Sequence, residues 1–204
     1  MGTVFYIMGK SSSGKDTIYR KLLAQMPQLK RVVLYTTRPI RSGEEDGKDY
    51  FFVDEDRYLE MKKDGAIIEE RAYNTVHGIW RYFTADDGQL EDIGGDSKYL
   101  MVGTIDSYLA MKEHFGPGYL VPLYIELDDG ERLARALKRE REQENPKYRE
   151  LCRRYLADSE DFSEERLRLA GITKRFCNED LEHCLKLCMG EIDGYKGKPD
   201  KPDK

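Results

Sequence analysis

Residues 9–17, Gly-Lys-Ser-Ser-Ser-Gly-Lys-Asp-Thr, constrain this chain more than any other stretch. The first seven fit the phosphate-loop pattern G-x-x-x-x-G-K, with Gly9, Gly14 and Lys15 in place. The apolar run Thr3 to Met8 before them predicts a buried parallel strand. The segment after them predicts a helix, with Ile18, Leu22, Leu23 and Met26 on one face and Pro27 as its stop. A strand, a glycine loop and a helix in that order aim backbone N–H groups and a positive helix end at phosphate. Gly9 and Gly14 permit close backbone approach. Lys15 reaches the β- and γ-phosphates of a nucleoside triphosphate, and Ser11, Ser12 and Ser13 add hydroxyl donors.

The residue after the lysine is usually Ser or Thr, which puts a hydroxyl on Mg²⁺. Here it is Asp16, with Thr17 one place later. Two roles suit Asp16. With Mg²⁺ bound it is a hard oxygen ligand, and Thr17 supplies a second oxygen. Otherwise it caps the helix start and favours its dipole.

A chain of 204 residues suits one domain or a core with small insertions. The net charge of −5 argues against bulk nucleic-acid binding. The four cysteines (Cys152, Cys177, Cys184 and Cys188) match no zinc spacing, and Cys184 and Cys188 stand one helical turn apart as packing residues. No export signal or membrane-spanning apolar run is visible, so reduced thiols in a cytoplasmic protein are expected.

Further along, residues 31–37 (RVVLYTT) predict a second strand, residues 38–50 an exposed polar loop, and residues 54–65 a helix stopped by Gly65. Residues 66–84 alternate around a His77-Gly78 turn and predict short antiparallel strands. Residues 85–96 read as a short helix and a turn. Strands at 98–103, 119–127 and 172–178 alternate with helices at 105–116 and 180–192. Pro122 argues for a strand start or a sheet edge. Residues 128–171 are a charged helical stretch broken at Asn145-Pro146, and the polar tail predicts disorder. This order implies an open, mostly parallel sheet covered on both faces, with an antiparallel insertion.

The segment from Thr36 to Val53 points to an acceptor. Arg38 and Arg41 place two forked guanidiniums on one short loop, which suits a phosphate dianion, and Tyr50 offers a third donor. Thr37, Arg38, Arg41, Gly43, Glu44, Gly47 and Tyr50 resemble the T-T-R-x-P-R-x-G-E-x-x-G-x-x-Y-x-F segment of the guanylate kinase family, within the P-loop nucleoside-monophosphate kinases. The resemblance runs from Gly9 to about Ile192. It implies an α/β fold of the P-loop NTPase type: an open parallel sheet with helices on both faces, a small mixed or antiparallel acceptor-binding insertion and a helical lid. In these terms residues 1–34, 98–128 and 171–192 form the core, 35–97 the acceptor-binding part, 129–170 the lid and 193–204 the tail.

The same resemblance implies site residues. Arg38, Arg41 and Tyr50 hold the acceptor phosphate. Glu69 accepts from guanine N1 and N2, in keeping with a carboxylate's two adjacent acceptors. Tyr82 and Thr84 lie nearest the family's phosphate- and base-contacting positions, with Trp80 and Arg81 read as an extra residue and Phe83 in place of Gly. Two features depart from the family. Leu34 stands where Ser is usual. The strand-end D-x-D is replaced by Gly103 and Ile105, leaving Asp106 as the nearest carboxylate and Thr104 as an alternative. Asp16 is then a replacement carboxylate near Mg²⁺.

Arg135, Arg139 and Arg153 match lid arginines, and Asn178 matches a contact to adenine of ATP. The implied reaction is γ-phosphoryl transfer from ATP to GMP, with Mg²⁺ as cofactor and Lys15, Arg139 and Arg153 stabilising charge. Two rival readings are a related kinase acting on ribose 1,5-bisphosphate and a non-catalytic binding module. The intact loop glycines, Lys15 and lid arginines weigh against the second.

Overall fold

The structure is a computed structural model that describes residues 2–75 and 78–196. Its centre is a strand of six buried residues, β1 (Thr3–Met8). Alternation along β1 sends Val4, Tyr6 and Met8 into one hydrophobic core and Phe5 and Ile7 into another, one on each face of the sheet. The helix α1 (Lys15–Gln25) covers the second face with Ile18 and Leu22.

β1 pairs in parallel with β7 (Lys98–Val102) and β8 (Leu120–Glu126). With β2 (Leu29–Arg31) and β9 (Arg175–Cys177) they form a five-stranded parallel sheet, order β2-β7-β1-β8-β9. Helix α3 (Ile105–Phe115) packs on the first face through Tyr108 and Met111. Helix α7 (Leu181–Gly194) packs on the second through Cys184, Leu185, Cys188 and Ile192, so this cysteine pair is core packing. Pro122 is not at a sheet edge. β8 has neighbours on both sides, but β9 pairs only with Tyr124 to Glu126, so no ladder bond to β9 is asked of Pro122.

A second, mixed sheet has the order β4-β3-β6-β5, from β3 (Tyr35–Thr36), β4 (Phe51–Phe52), β5 (Ile67–Thr75) and β6 (Gly78–Ala85). Helix α2 (Glu55–Lys63), capped by Asp54, closes its own small core of Tyr58, Met61, Phe83 and Ala85. Phe83 is fully buried and stacks on Tyr35 at 5.1 Å, which accounts for an aromatic residue where the family has Gly.

The structure corrects three expectations. Residues 31–37 are not one strand. The chain leaves the first sheet after Arg31 and enters the second at Tyr35. Between them the Gln89 side chain donates to the Val33 carbonyl and accepts from its N–H, at 3.0 and 2.8 Å, which satisfies the backbone where no strand does. Residues 86–97 form turns and no helix. The Asp92 side chain ties them down by accepting from the Ser97 N–H at 3.0 Å. The antiparallel strands are long, nine and eight residues, because Glu69 to Thr75 pair with Thr84 to Gly78 without a break. The predicted turn at His77 lies outside the described residues.

The charged stretch forms α4 (Asp129–Arg141), α5 (Tyr148–Asp161) and the short α6 (Glu164–Leu169), with the break at 142–147. The helix α7 runs to Gly194, past the expected start of the tail, and residues 197–204 lie outside the described residues. Among the described residues, no helix is long and apolar enough to cross a membrane.

Candidate active site

The phosphate loop joins the C-terminal end of β1 to α1. Its two glycines are required by contact. A Cβ on Gly9 would lie 2.4 Å from the Ile125 carbonyl oxygen, and one on Gly14 would lie 2.2 Å from Asn178 Nδ2. Gly14 also has φ 90°, a left-handed conformation that disfavours side chains. Ser12, at φ 64°, is the one described non-glycine residue in that region. Asn178 pins the loop: its Nδ2 donates to the Ser13 carbonyl at 2.7 Å, and its Oδ1 is buried without a hydrogen-bond partner. Arg135 donates to the Asn178 carbonyl at 3.3 Å. Lys15 Nζ lies 3.2 Å from the Asp16 carboxylate, which is 72% exposed.

Apart from Arg139, the helices α4 and α5 dock on this loop through residues that sequence reasoning passed over. Arg132, 1% exposed, donates from Nε to the Ser11 carbonyl at 3.0 Å and from Nη2 to Asp158 at 3.0 Å. It also pairs with Asp129, which Lys10 reaches at 3.1 Å. The Asp158 carboxylate accepts from the Ser11 N–H at 2.7 Å. A carboxylate thus occupies a phosphate-loop N–H, a donor whose position suits an anion. Arg139 donates to the Ser12 hydroxyl at 3.3 Å. The signal for Arg132 was weak, because a charged residue on a charged helix ordinarily faces water; only its burial against the loop marks it.

The loop opens into a cleft of about 880 Å³ between the two sheets and α5. Its walls include Gly9, Ser11, Lys15, Gly103, Thr104 and Arg153 from the first sheet's loops, α1 and α5, and Tyr50, Arg71, Tyr73, Trp80 and Tyr82 at the second sheet. Register explains the second group. Glu69, Arg71 and Tyr73 stand opposite Thr84, Tyr82 and Trp80, so all six leave the same face of the hairpin. Glu70 leaves the other face and bonds Tyr58 and Lys62 of α2. Trp80 is therefore a cleft residue, and Arg71 shares its face with Glu69. Period-2 spacing in the sequence was enough to find Arg71.

The structure places the expected acceptor residues unevenly. Arg38 is 3% exposed and forms a bidentate pair with Glu44 at 2.7 and 2.6 Å, stacked over Tyr50 and Phe52. The Arg38 guanidinium pushes the Glu44 carboxyl down to about 2. Arg38 Nε is buried without a partner, so one donor of this cation is uncommitted. Arg41 is exposed, with its guanidinium 6.0 Å from the Trp80 ring. Tyr50 and Tyr82 meet edge to face at 5.8 Å. Glu69 accepts from Thr84 at 2.8 Å and from Arg71 at 3.2 Å. Arg153 lines the cleft and pairs with Glu150 at 2.7 Å.

Asp106 is not brought to the cleft. It pairs with Arg166, which also holds Asp161 at 3.0 Å, because Asp106 falls on the exposed side of the first turn of α3, whose Ile105, Ser107 and Tyr108 face the core. At Gly103 a side chain has no room: a Cβ would lie 2.1 Å from the Tyr6 hydroxyl and 2.7 Å from Ser107 Oγ. Those two groups share a buried hydrogen bond of 2.6 Å. The space where the family's strand-end carboxylate would begin is occupied by this pair.

Comparison with known proteins agrees with this geometry. Residues 1–79, which carry the phosphate loop, the acceptor loop, Glu69 and Arg71, match the family model described as guanylate kinase. The guanylate kinase of Legionella pneumophila (strain Lens) is 36% identical over 78 residues, covering 38% of this chain and 37% of that protein. The guanylate kinase of Syntrophomonas wolfei is 33% identical over 124 residues, covering 60% of this chain and 61% of that protein. The chain therefore spans less than two thirds of the length of these curated relatives. The crystal structure of guanylate kinase from Anaplasma phagocytophilum superposes with a TM-score of 0.67 at 21% identity, over 95% of this chain and 85% of that one. The chain has that fold.

Proposed function

We propose that this chain is an ATP-dependent guanylate kinase, converting GMP and ATP to GDP and ADP by direct in-line transfer. One observation carries the reading: a complete phosphate loop and an arginine- and tyrosine-lined face of a second sheet open into the same cleft. The similarity of residues 1–79 to guanylate kinases supports it. The relatives reported give no support to a ribose 1,5-bisphosphate acceptor.

The reaction needs positioning and charge stabilisation, with no covalent enzyme intermediate. Backbone N–H groups of residues 11–15 and Lys15 hold the β- and γ-phosphates of ATP. A triphosphate oxygen that takes the Ser11 N–H displaces Asp158. Adenine lies toward Asn178 and Arg135, where the buried Asn178 Oδ1 is an acceptor for an exocyclic amine. GMP lies in the cleft with its phosphate toward Arg41, Tyr50, Tyr82 and the free Nε of Arg38, which Glu44 holds in place. A GMP phosphate oxygen attacks the γ-phosphorus, and the β–γ bridging oxygen leaves with ADP. Arg139 and Arg153 approach the γ-phosphoryl oxygens from the lid.

Asp16 and Thr17 fit Mg²⁺, which usually takes one or two protein oxygens beside phosphates and waters. The Asp16 carboxylate lies 3.2 Å from Lys15 Nζ, and Thr17 follows it in the first turn of α1. Bound there, Mg²⁺ neutralises charge on those phosphates.

The test is ADP formation from ATP with GMP as acceptor. Turnover should depend on GMP and fall at least about a thousandfold in Lys15→Ala, an effect of the size expected for loss of a main phosphate cation. GMP-independent turnover, or a Lys15→Ala variant as active as the parent, would overturn the reading.

A further inference from the structure

The cleft face of the second sheet carries a cation to which the reaction described above gives no role. Arg71 follows Glu69 by two residues on β5, and its Nε and Nη2 each donate to the Glu69 carboxylate at 3.2 Å. Thr84, opposite Glu69 across the hairpin, donates to the same carboxylate. Both Glu69 oxygens are engaged, and the side chain is 8% exposed. Arg71, not Glu69, lines the cleft. These bonds take three of the about four acceptor sites of the carboxylate, so Glu69 could accept from both guanine N1 and N2 only if Arg71 or Thr84 gave up a bond to this buried group.

A guanidinium held on its Nε/Nη2 side keeps a second donating edge, formed by Nη1 and the other Nη2 proton. Two adjacent acceptors match that edge, and guanine presents such a pair in O6 and N7. Adenine sets an amine against it at position 6. Leu34, packed in the core, offers the base no polar contact that would compete. Tyr73 and Tyr82, in edge-to-face contact at 5.7 Å on the same face, supply aromatic surface beside the base.

We infer that Arg71 is the residue that recognises the acceptor base, donating to O6 and N7 of the purine, and that Glu69 and Thr84 are positioning residues that hold it. This rests on the kinase reading and deepens it: the acceptor class becomes 6-oxopurine nucleoside monophosphates, with the 2-amino group unread.

The experiment measures kcat/KM for GMP, IMP and AMP with the unaltered full chain and with Arg71→Ala and Glu69→Gln. IMP keeps O6 and N7 and lacks the 2-amino group. IMP within about threefold of GMP, with AMP far lower, is the expected result. Arg71→Ala should reduce the GMP preference over AMP by roughly ten- to a hundredfold, the discrimination a bidentate base contact provides. Glu69→Gln should raise the KM for GMP with little change in kcat and leave the GMP to IMP ratio unchanged. Rejection of IMP by tenfold or more in the unaltered chain would overturn the inference, and that measurement needs no variant to fold. An Arg71→Ala variant that unfolds at the parent's temperature and keeps the GMP to AMP ratio would overturn it too. No turnover with any of the three acceptors would instead remove the kinase reading on which it rests.

Discussion

The phosphate loop and the second sheet present their hydrogen-bond donors in opposite ways. In the loop the backbone supplies the donors, and side chains serve mainly to leave room: Gly9 and Gly14 abut Ile125 and Asn178. A local spacing therefore specifies it, and an altered residue such as Asp16 sits exposed beside Lys15 without disturbing the path of the chain. In the second sheet the side chains supply the donors. Their placement depends on the register of a long hairpin, on nearby charge partners such as Glu44 for Arg38 and Glu69 for Arg71, and on a cross-strand hydroxyl from Thr84. A change of one residue type there changes the chemistry of the cleft. The lesson is that similarity in the loop transfers a role by position, whereas in the sheet each side chain has to be read with its partner.

The largest test of this contrast is Gly103→Asp, which restores a family carboxylate at the strand end. Its Cβ would collide with the Tyr6 hydroxyl and Ser107, so stability should fall by about 3 kcal/mol, in the range of overpacking with loss of a buried hydrogen bond. Thermal unfolding checks it, and adding Tyr6→Phe should recover part of the loss. A Gly103→Asp protein as stable as the parent would show that the strand end is as permissive as the loop.

A smaller effect is expected where α5 meets the phosphate loop. Asp158→Asn leaves the Ser11 N–H with a weaker, neutral partner, so ATP should bind severalfold more tightly. The empty protein should lose about 1–2 kcal/mol, because buried Arg132 loses one of its two carboxylates. Calorimetric titration with ATP and urea unfolding separate the two; an unchanged ATP affinity means that Asp158 does not compete for the loop.

On the acceptor side, the Arg38–Glu44 pair predicts a pH dependence. The Glu44 carboxyl is lowered from 4.5 to about 2 in the folded chain, so the unfolded chain binds the proton more readily. Its stabilisation is complete above about 4.5 and is lost as the pH falls toward about 2. Glu44→Gln should flatten the stability profile in that window, measured by denaturant midpoints. An identical acid limb in the variant would assign the acid sensitivity elsewhere.

The smallest effect is expected at Asp16. Asp16→Ser should leave folding unchanged and raise the Mg²⁺ concentration needed for half-maximal turnover by a few fold, since one hard-oxygen ligand is exchanged for another. If Mg²⁺ dependence and rate are both unaltered, Asp16 acts on the helix dipole alone.

Much of the core could be read directly. The apolar alternation of Thr3–Met8, the glycine spacing and the helical face of Ile18 and Leu22 are local patterns, and local patterns survive without knowledge of neighbours. The break of residues 31–37 between two sheets could not be read, because the group that satisfies Val33 is a glutamine 56 residues away. The sequence alone determined a phosphate loop on a parallel α/β core and a second element rich in arginine and tyrosine. Only the tertiary structure decided which of those side chains is available. Arg38 is held by Glu44, Arg132 and Asp158 tie α4 and α5 to the loop, and Arg71 pairs with Glu69 at the cleft. A charge acts according to what lies within about 4 Å of it, and that distance is set by packing, not by position along the chain.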